Sequence, residues 1–211
     1  MKRYKQSQIE QLADILKKDG VISVPTDTVY GICARIGSYD AYKKLATIKK
    51  RPTNQSFPIM CCSEQQVKSI AIVDRNAERL IRAFMPGPIT LVLKKKKEAL
   101  SYINNRGEKA TDELAVRIAP LDILKELIEK VGSPIFMTSA NLHGMPICKT
   151  LEEIEETCKE IDGLMEGDVL LGEASTIVDC TTDEIKIQRQ GPISKEEIIK
   201  VLEEEKELET C

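Results

Sequence analysis

Four short stretches of this 211-residue chain concentrate side chains able to hold and polarise a small ligand. The first, Pro25-Thr26-Asp27-Thr28-Val29-Tyr30-Gly31, places two hydroxyls, a carboxylate, a phenol and a glycine directly behind the apolar Val21-Ile22-Ser23-Val24. Ligands often sit at strand ends, although the same residue types also build ordinary Asx and hydroxyl turns. The second, Lys49-Lys50-Arg51-Pro52, closes a helical pattern, where cations are favoured by the helix dipole whatever else they do. On such a polar helix end, Lys49 and Arg51 should be replaceable with folding nearly intact. The third, Thr138-Ser139-Ala140-Asn141-Leu142-His143-Gly144, again follows an apolar run. The fourth is Ser175-Thr176-Ile177-Val178-Asp179, with Arg189-Gln190-Gly191-Pro192 downstream. Together they supply hydroxyls, amides, lysine and arginine without a nucleophile paired to a base. That set suits catalysis by positioning and by neutralising a nucleotide phosphate, not covalent catalysis.

Other chemistries lack their residues. No G-x-x-x-x-G-K-[ST] phosphate loop, G-x-G-x-x-G fingerprint or G-x-S-x-G nucleophile elbow occurs. The single histidine, His143, lies four residues after Ser139, a spacing that is no triad by itself, and a loop histidine is expected in solvent. Seven scattered cysteines without Cys-x-x-Cys spacing predict reduced thiols, not a disulfide framework. With one histidine, no zinc site is expected. No run approaches the ~18 apolar residues of a membrane span, and the N-terminus has no signal-peptide core. A cytoplasmic protein is expected.

The elements that would position these loops are legible as periodicity. Ile9, Leu12, Ala13 and Leu16 predict a helix with Gly20 as its C-cap; Val21–Pro25 predicts a strand. Ser38, Asp74, Thr150 and Ser194 predict helix caps, and Ser63-Glu64-Gln65-Gln66 has the form of a capping box. Strands are predicted over 57–62, 89–93, 114–119 (with Arg117 inside), 134–137, 176–180 and 185–188, and a helix over 121–131. The alternation is not a strict βα rhythm, so the fold class expected is α/β of the α+β type, a mixed, twisted sheet with helices packed on it. No repeat or linker interrupts 1–211, which is read as one domain with a core over about 9–200 and an acidic tail at 203–211. The tail is expected to be a solvated helix end.

The motifs, in this order, resemble the YrdC family of threonylcarbamoyl-AMP synthases. They are Pro25 to Gly31, Lys49-x-Arg51-Pro52, Pro86-Gly87-Pro88-Ile89-Thr90, Ala115-Val116-Arg117, Thr138-Ser139-Ala140-Asn141, Ser175 to Asp179 and Arg189-Gln190-Gly191. The resemblance implies a single twisted sheet with a concave, positively charged cleft. It implies a nucleotidyltransferase that joins L-threonine, bicarbonate and ATP into L-threonylcarbamoyladenylate and pyrophosphate. The product would serve tRNA threonylcarbamoyladenosine modification by a downstream transferase complex. The family's catalytic tetrad falls on Lys49, Arg51, Ser139 and Asn141. Arg51, Ser139, Asn141, Thr150 and Arg189 would hold ATP, with Mg²⁺ carried by the nucleotide and water because no acidic cage is evident. Thr28 and Ser175 would touch threonine, with Arg117 facing the same cleft. Two departures stand out. The segment from Arg51 to Pro58 is longer than in many members, and Met60, Cys61 or Cys62 stands where some members place a threonine-contacting histidine. Beside longer members of the family, the resemblance implies the short form, and no additional C-terminal domain is expected.

Charge leaves a second function open. Residues 1–150 carry 25 Lys and Arg against 15 Asp and Glu, whereas the remaining 61 carry 6 against 19. A basic surface including Lys94 to Lys97 could hold double-stranded RNA or tRNA without turnover. At 4% aromatic residues, single-strand stacking is disfavoured. A carbamoyl-transfer domain like that of hydrogenase-maturation proteins is disfavoured by the short chain and absent Cys-x-x-Cys pairs, and a serine hydrolase by the missing elbow.

Overall fold

The structure, a computed structural model, describes residues 1–51, 56–101 and 112–208, with the side chains of 204–208 left aside. Residues 52–55 of the long Arg51–Pro58 segment, Pro52 among them, and the tail beyond 208 lie outside the described residues.

Ten strands form one mixed sheet: β1 Arg3–Tyr4, β2 Ile22–Val24, β3 Gly31–Arg35, β4 Ile59–Cys61, β5 Ile89–Lys94, β6 Glu113–Ile118, β7 Ile135–Ser139, β8 Gly163–Met165, β9 Thr176–Asp179 and β10 Lys186–Arg189. Their order is β1-β8-β2-β3-β7-β4-β6-β5-β9-β10. The pairs β1·β8, β2·β8, β4·β6 and β5·β9 are parallel and the other five antiparallel. Helices are α1 Ile9–Lys17, α2 Tyr39–Lys49, α3 Glu64–Ile70, α4 Arg75–Phe84, α5 Asp122–Val131, α6 Leu151–Thr157 and α7 Lys195–Leu208.

The sheet's two faces have different fates. On one, Ile32, Phe136, Ile59, Val116, Leu91 and Val178 build a large core with the apolar faces of α2, α3, α4 and α6. On the other, Ile22, Val24, Cys33, Ile135 and Met137 pack a smaller core against α1 and α5. Because side chains alternate along a strand, the residues of β5 and β6 on this second face are Thr90, Val92, Ala115 and Arg117, and they line a cavity rather than a helix interface. The cleft is thus the part of the second face that α1 and α5 do not cover.

Sequence expectations meet three corrections here. Strands β1, β3 and β8 are absent from the periodicity reading; each is short, and β3 begins in the Gly31 turn motif and runs to Arg35 without alternation because both its faces are buried. Gly20 does not cap α1: the left-handed turn falls on Asp19, φ 63°. Gly20 is small for another reason, since a Cβ there would come within 2.4 Å of Ile15 Cγ2 and 2.7 Å of the Ile15 carbonyl. The capping box is displaced by one residue: Ser63 Oγ accepts from Gln66 N, but the Gln66 side chain accepts from Cys62 N rather than Ser63 N. Ser38, Asp74, Thr150 and Ser194 accept from the amides of Ala41, Ala77, Glu153 and Glu197 as predicted. The six described cysteines are free, five of them buried. Among the described residues no helix is long and apolar enough to cross a membrane.

Candidate active site

The cavity, about 490 Å³, is bounded by residues of seven strands, β3 to β7, β9 and β10, and the loops that leave them. That volume lies within the range of small-molecule sites. Its charged lining is Lys49, Arg51, Arg117 and Arg189 against a single carboxylate, Glu113, among the described residues.

One end is built by the C-terminus of α2 and the loop after β7. Register pairs Gly31 with Ser139 and so brings the β7 exit beside the β3 entry. Lys49 is 3% exposed. Its Nζ donates to the Ser139 carbonyl at 2.6 Å and to Asn141 Oδ1 at 2.5 Å. Ser139 Oγ donates to the same Asn141 oxygen at 2.8 Å, and Asn141 Nδ2 donates to the Met145 carbonyl. The loop is also pinned from behind, His143 N donating to the Lys49 carbonyl. Lys49 is therefore no surface helix-end cation, which corrects the expectation that it could be removed with folding nearly intact. Burial pushes its ammonium down to about 8, opposed weakly by the Cys158 thiol. Lys50 ends α2 in the left-handed region, φ 49°, and swings Arg51 into the cavity. The Arg51 guanidinium lies 4.8 Å above the Phe57 ring, and its Nε is buried without a partner. Burial lowers its affinity for its proton as well.

The other end centres on Arg117, projecting from β6 and 5% exposed. Its Nε donates to the Gly87 carbonyl at 2.8 Å, Nη1 to Thr28 Oγ1 at 2.9 Å and Nη2 to Asp27 Oδ2. Burial pulls its protonation down and Asp27 pushes it back up. The Thr28 loop is held by Thr26, whose Oγ1 accepts from the amides of Thr28 and Val29 and donates to the Val29 carbonyl. Ser175 Oγ shares a hydrogen bond with Thr90 Oγ1 at 2.9 Å. Arg189, on the rim, donates Nε and Nη2 to the Ser175 carbonyl at 3.0 and 2.8 Å. The two segments can approach because residue 191 is glycine: a Cβ there would sit 2.3 Å from the Ala174 carbonyl.

Eight of the nine predicted site residues thus line one cavity: Thr28, Lys49, Arg51, Arg117, Ser139, Asn141, Ser175 and Arg189. Thr150 does not; it is exposed, and its hydroxyl caps α6. Of Met60, Cys61 and Cys62, only Met60 faces the cavity, because Cys61 points into the opposite core. His143 is exposed as expected, yet it stands on the cavity rim. The Lys94–Lys97 run does not line the cavity. Asp27 and Thr90 were not singled out from the sequence. Each lies inside a quoted motif, but their roles as partners of Arg117 and Ser175 depend on contacts between residues 85 and 90 positions apart. Among the described residues no group of three or more His, Cys, Asp or Glu could hold a metal ion.

Comparison with known proteins places this arrangement. The chain is 32% identical over 201 residues to a threonylcarbamoyl-AMP synthase of Bacillus subtilis, covering 92% of this chain and 56% of that protein. The fold superposes on Pyrococcus abyssi Sua5 complexed with L-threonine with a TM-score of 0.86 and 30% identity, over 96% of this chain and 61% of that one. It also superposes on Escherichia coli YciO, TM-score 0.81 and 27% identity, over 93% and 98% of the two chains. The chain thus spans about three fifths of the synthase and of Sua5, and nearly the full length of YciO. Residues 14–191 match the Sua5/YciO/YrdC family, described under telomere recombination, and that span contains every residue of the cavity. With a family match over residues 14–191 and 32% identity to a relative over 92% of its length, the chain belongs to the Sua5/YciO/YrdC family.

Proposed function

We propose that this chain is a nucleotidyltransferase that condenses L-threonine, bicarbonate and ATP into L-threonylcarbamoyladenylate, releasing pyrophosphate. The observation that carries this reading is the division of one cavity into a cationic end, Lys49 and Arg51, and a hydroxyl-rich end around Arg117. The similarity to proteins named threonylcarbamoyl-AMP synthase and to a threonine complex supports it.

In this reading the amino acid lies at the Arg117 end. Arg117 takes the carboxylate with its remaining N–H groups, a role its planar fork suits. Thr28 and Ser175, both fixed by neighbours, offer hydroxyls to threonine's polar groups. The amine and bicarbonate give a carbamate with loss of water, and a carbamate oxygen then attacks the α-phosphorus while pyrophosphate leaves. Both reactants are anionic, so the step needs cations in place beforehand, and Lys49, Arg51 and Arg189 supply them. Ser139 and Asn141 hold Lys49 and contact the nucleotide by short-range hydrogen bonds. Alignment does most of the work in such phosphoryl chemistry. If ATP carries Mg²⁺, its phosphates and water would hold the ion, which would supply further charge neutralisation on the phosphates. The cytoplasm supplies the substrates, and a tRNA-directed threonylcarbamoyl transferase would consume the product. No feature of the cavity favours an RNA platform.

The test is pyrophosphate release from ATP. Release that requires both threonine and bicarbonate is the expected result, and ATP turnover indifferent to threonine would sink the reading.

A further inference from the structure

Asp27 stands behind the cavity wall and is 6% exposed. One carboxylate oxygen accepts from Arg117 Nη2, and the other, Oδ1, is buried with no hydrogen-bond partner among the described residues. Arg117 already has two further anchors, the Gly87 carbonyl and Thr28 Oγ1. A main-chain carbonyl in place of Asp27 would complete the orientation equally well and leave no orphaned oxygen. What only a carboxylate adds is charge. At the amino-acid end the field of Arg117 is therefore offset from behind, whereas Arg189 on the rim, like Lys49 and Arg51, has no carboxylate partner among the described residues.

We propose that Asp27 is a positioning and selectivity residue that matches this end of the cavity to a zwitterion. It aims Arg117 at the ligand's carboxylate and offsets its charge, so that a ligand carrying its own ammonium is preferred over a bare carboxylate anion. The proposal rests on the reading that places threonine at Thr28, Ser175 and Arg117. A monoanion at Arg117 is attracted by the guanidinium and repelled by Asp27. An α-ammonium sits two bonds from the carboxyl carbon, so the covalent structure of the amino acid holds a positive charge near Asp27 whenever the carboxylate is on Arg117. At an effective dielectric of about 20, charges roughly 8–10 Å apart still shift an affinity by on the order of tenfold. Salt screens the pair little, because both members are buried.

The experiment compares L-threonine with 3-hydroxybutyrate, the same skeleton without the amine, by calorimetric titration of the protein without ATP. The unaltered protein is expected to bind threonine at least ~10-fold tighter. Asp27→Asn keeps an oxygen that can accept from Arg117 and removes the charge. It should reduce that ratio by about tenfold, through weaker threonine binding and tighter 3-hydroxybutyrate binding. Asp27→Glu, which retains the charge, should preserve the preference. A purely structural role for Asp27 would weaken both ligands alike. An unchanged ratio in folded Asp27→Asn overturns the proposal alone. If that variant does not fold, equal affinity for the two ligands in the unaltered protein overturns it. No threonine binding by the unaltered protein overturns both the proposal and the reading beneath it.

Discussion

The two ends of the cavity bury cations of equal charge under opposite conditions. Arg117 meets a carboxylate, a hydroxyl and a carbonyl. Among the described residues, Lys49 meets a carbonyl and an amide oxygen, and Arg51 an aromatic face. A buried charge without a counter-charge is costly, and its effect shows in Lys49, whose ammonium is pushed down to about 8. The lesson is that burial alone does not decide whether a cation is paired: Arg117 is matched by a carboxylate, whereas Lys49 and Arg51 have none among the described residues. Under the proposed function, unpaired cations suit a polyanion and the paired one suits a zwitterion.

The contrast can be broken most forcefully at Arg117. Arg117→Ala strands Asp27 as an unpaired buried carboxylate and should cost about 3–5 kcal/mol of stability, read by denaturant unfolding. A loss under ~1 kcal/mol would show that the pair is not the keystone of its end. Next come Lys49→Ala and Arg51→Ala, each expected to slow threonine-dependent pyrophosphate release by at least ~10²-fold, equivalent to about 2.7–4 kcal/mol. Near-normal rates in either variant would remove that residue from the mechanism. Lys49→Ala should in addition lower stability, since it leaves Asn141 Oδ1 and the Ser139 carbonyl short of a donor.

A third prediction uses pH. Lys49 has a folded-state pKa near 8, below its ordinary value of 10.5. Between those values the unfolded chain holds the proton that the folded chain has lost, so stability should rise with pH across that window. Activity should move the other way. The rate at limiting ATP should fall by up to about tenfold per pH unit above roughly 8, as the ammonium is lost. Parallel rises of stability and activity would contradict an ammonium at the nucleotide end. The smallest effects belong to the neutral groups. Ser139→Ala and Asn141→Ala should each weaken ATP binding by about 5- to 10-fold, corresponding to about 1 kcal/mol per hydrogen bond. Because neither change alters the field, any RNA binding should stay unchanged. If RNA titrations shift and ATP titrations do not, the cavity is not a nucleotide site.

Much of the site is visible before folding is considered. Lys49 and Arg51 are two residues apart and Ser139 and Asn141 likewise, so each pair is set by local chain geometry. The caps at Ser38, Asp74 and Ser194 follow from residue type and spacing alone, since they depend on contacts within a single turn. Strand β3 was hidden because a strand buried on both faces has no polar alternation to reveal it. Thr150 shows the opposite failure: a threonine before an acidic helix is explained by its cap, and the cap is what the structure displays. Lys49 looked like a helix-end surface cation, and its burial appears only when the β7 loop is laid over it.

The amino-acid sequence by itself determined the helices and seven of the ten strands, together with the hydroxyl- and amide-bearing loops. These follow from local periodicity and side-chain chemistry. The tertiary structure decided which cation meets which partner. Strand register places Arg117 where Asp27 and Thr28 can reach it, across 90 and 89 residues of chain. It leaves part of one sheet face without a covering helix, so that alternation turns Thr90 and Arg117 toward a cavity instead of a core. Whether a charge is paired or poised depends on distance and burial, and neither quantity exists until the chain has folded.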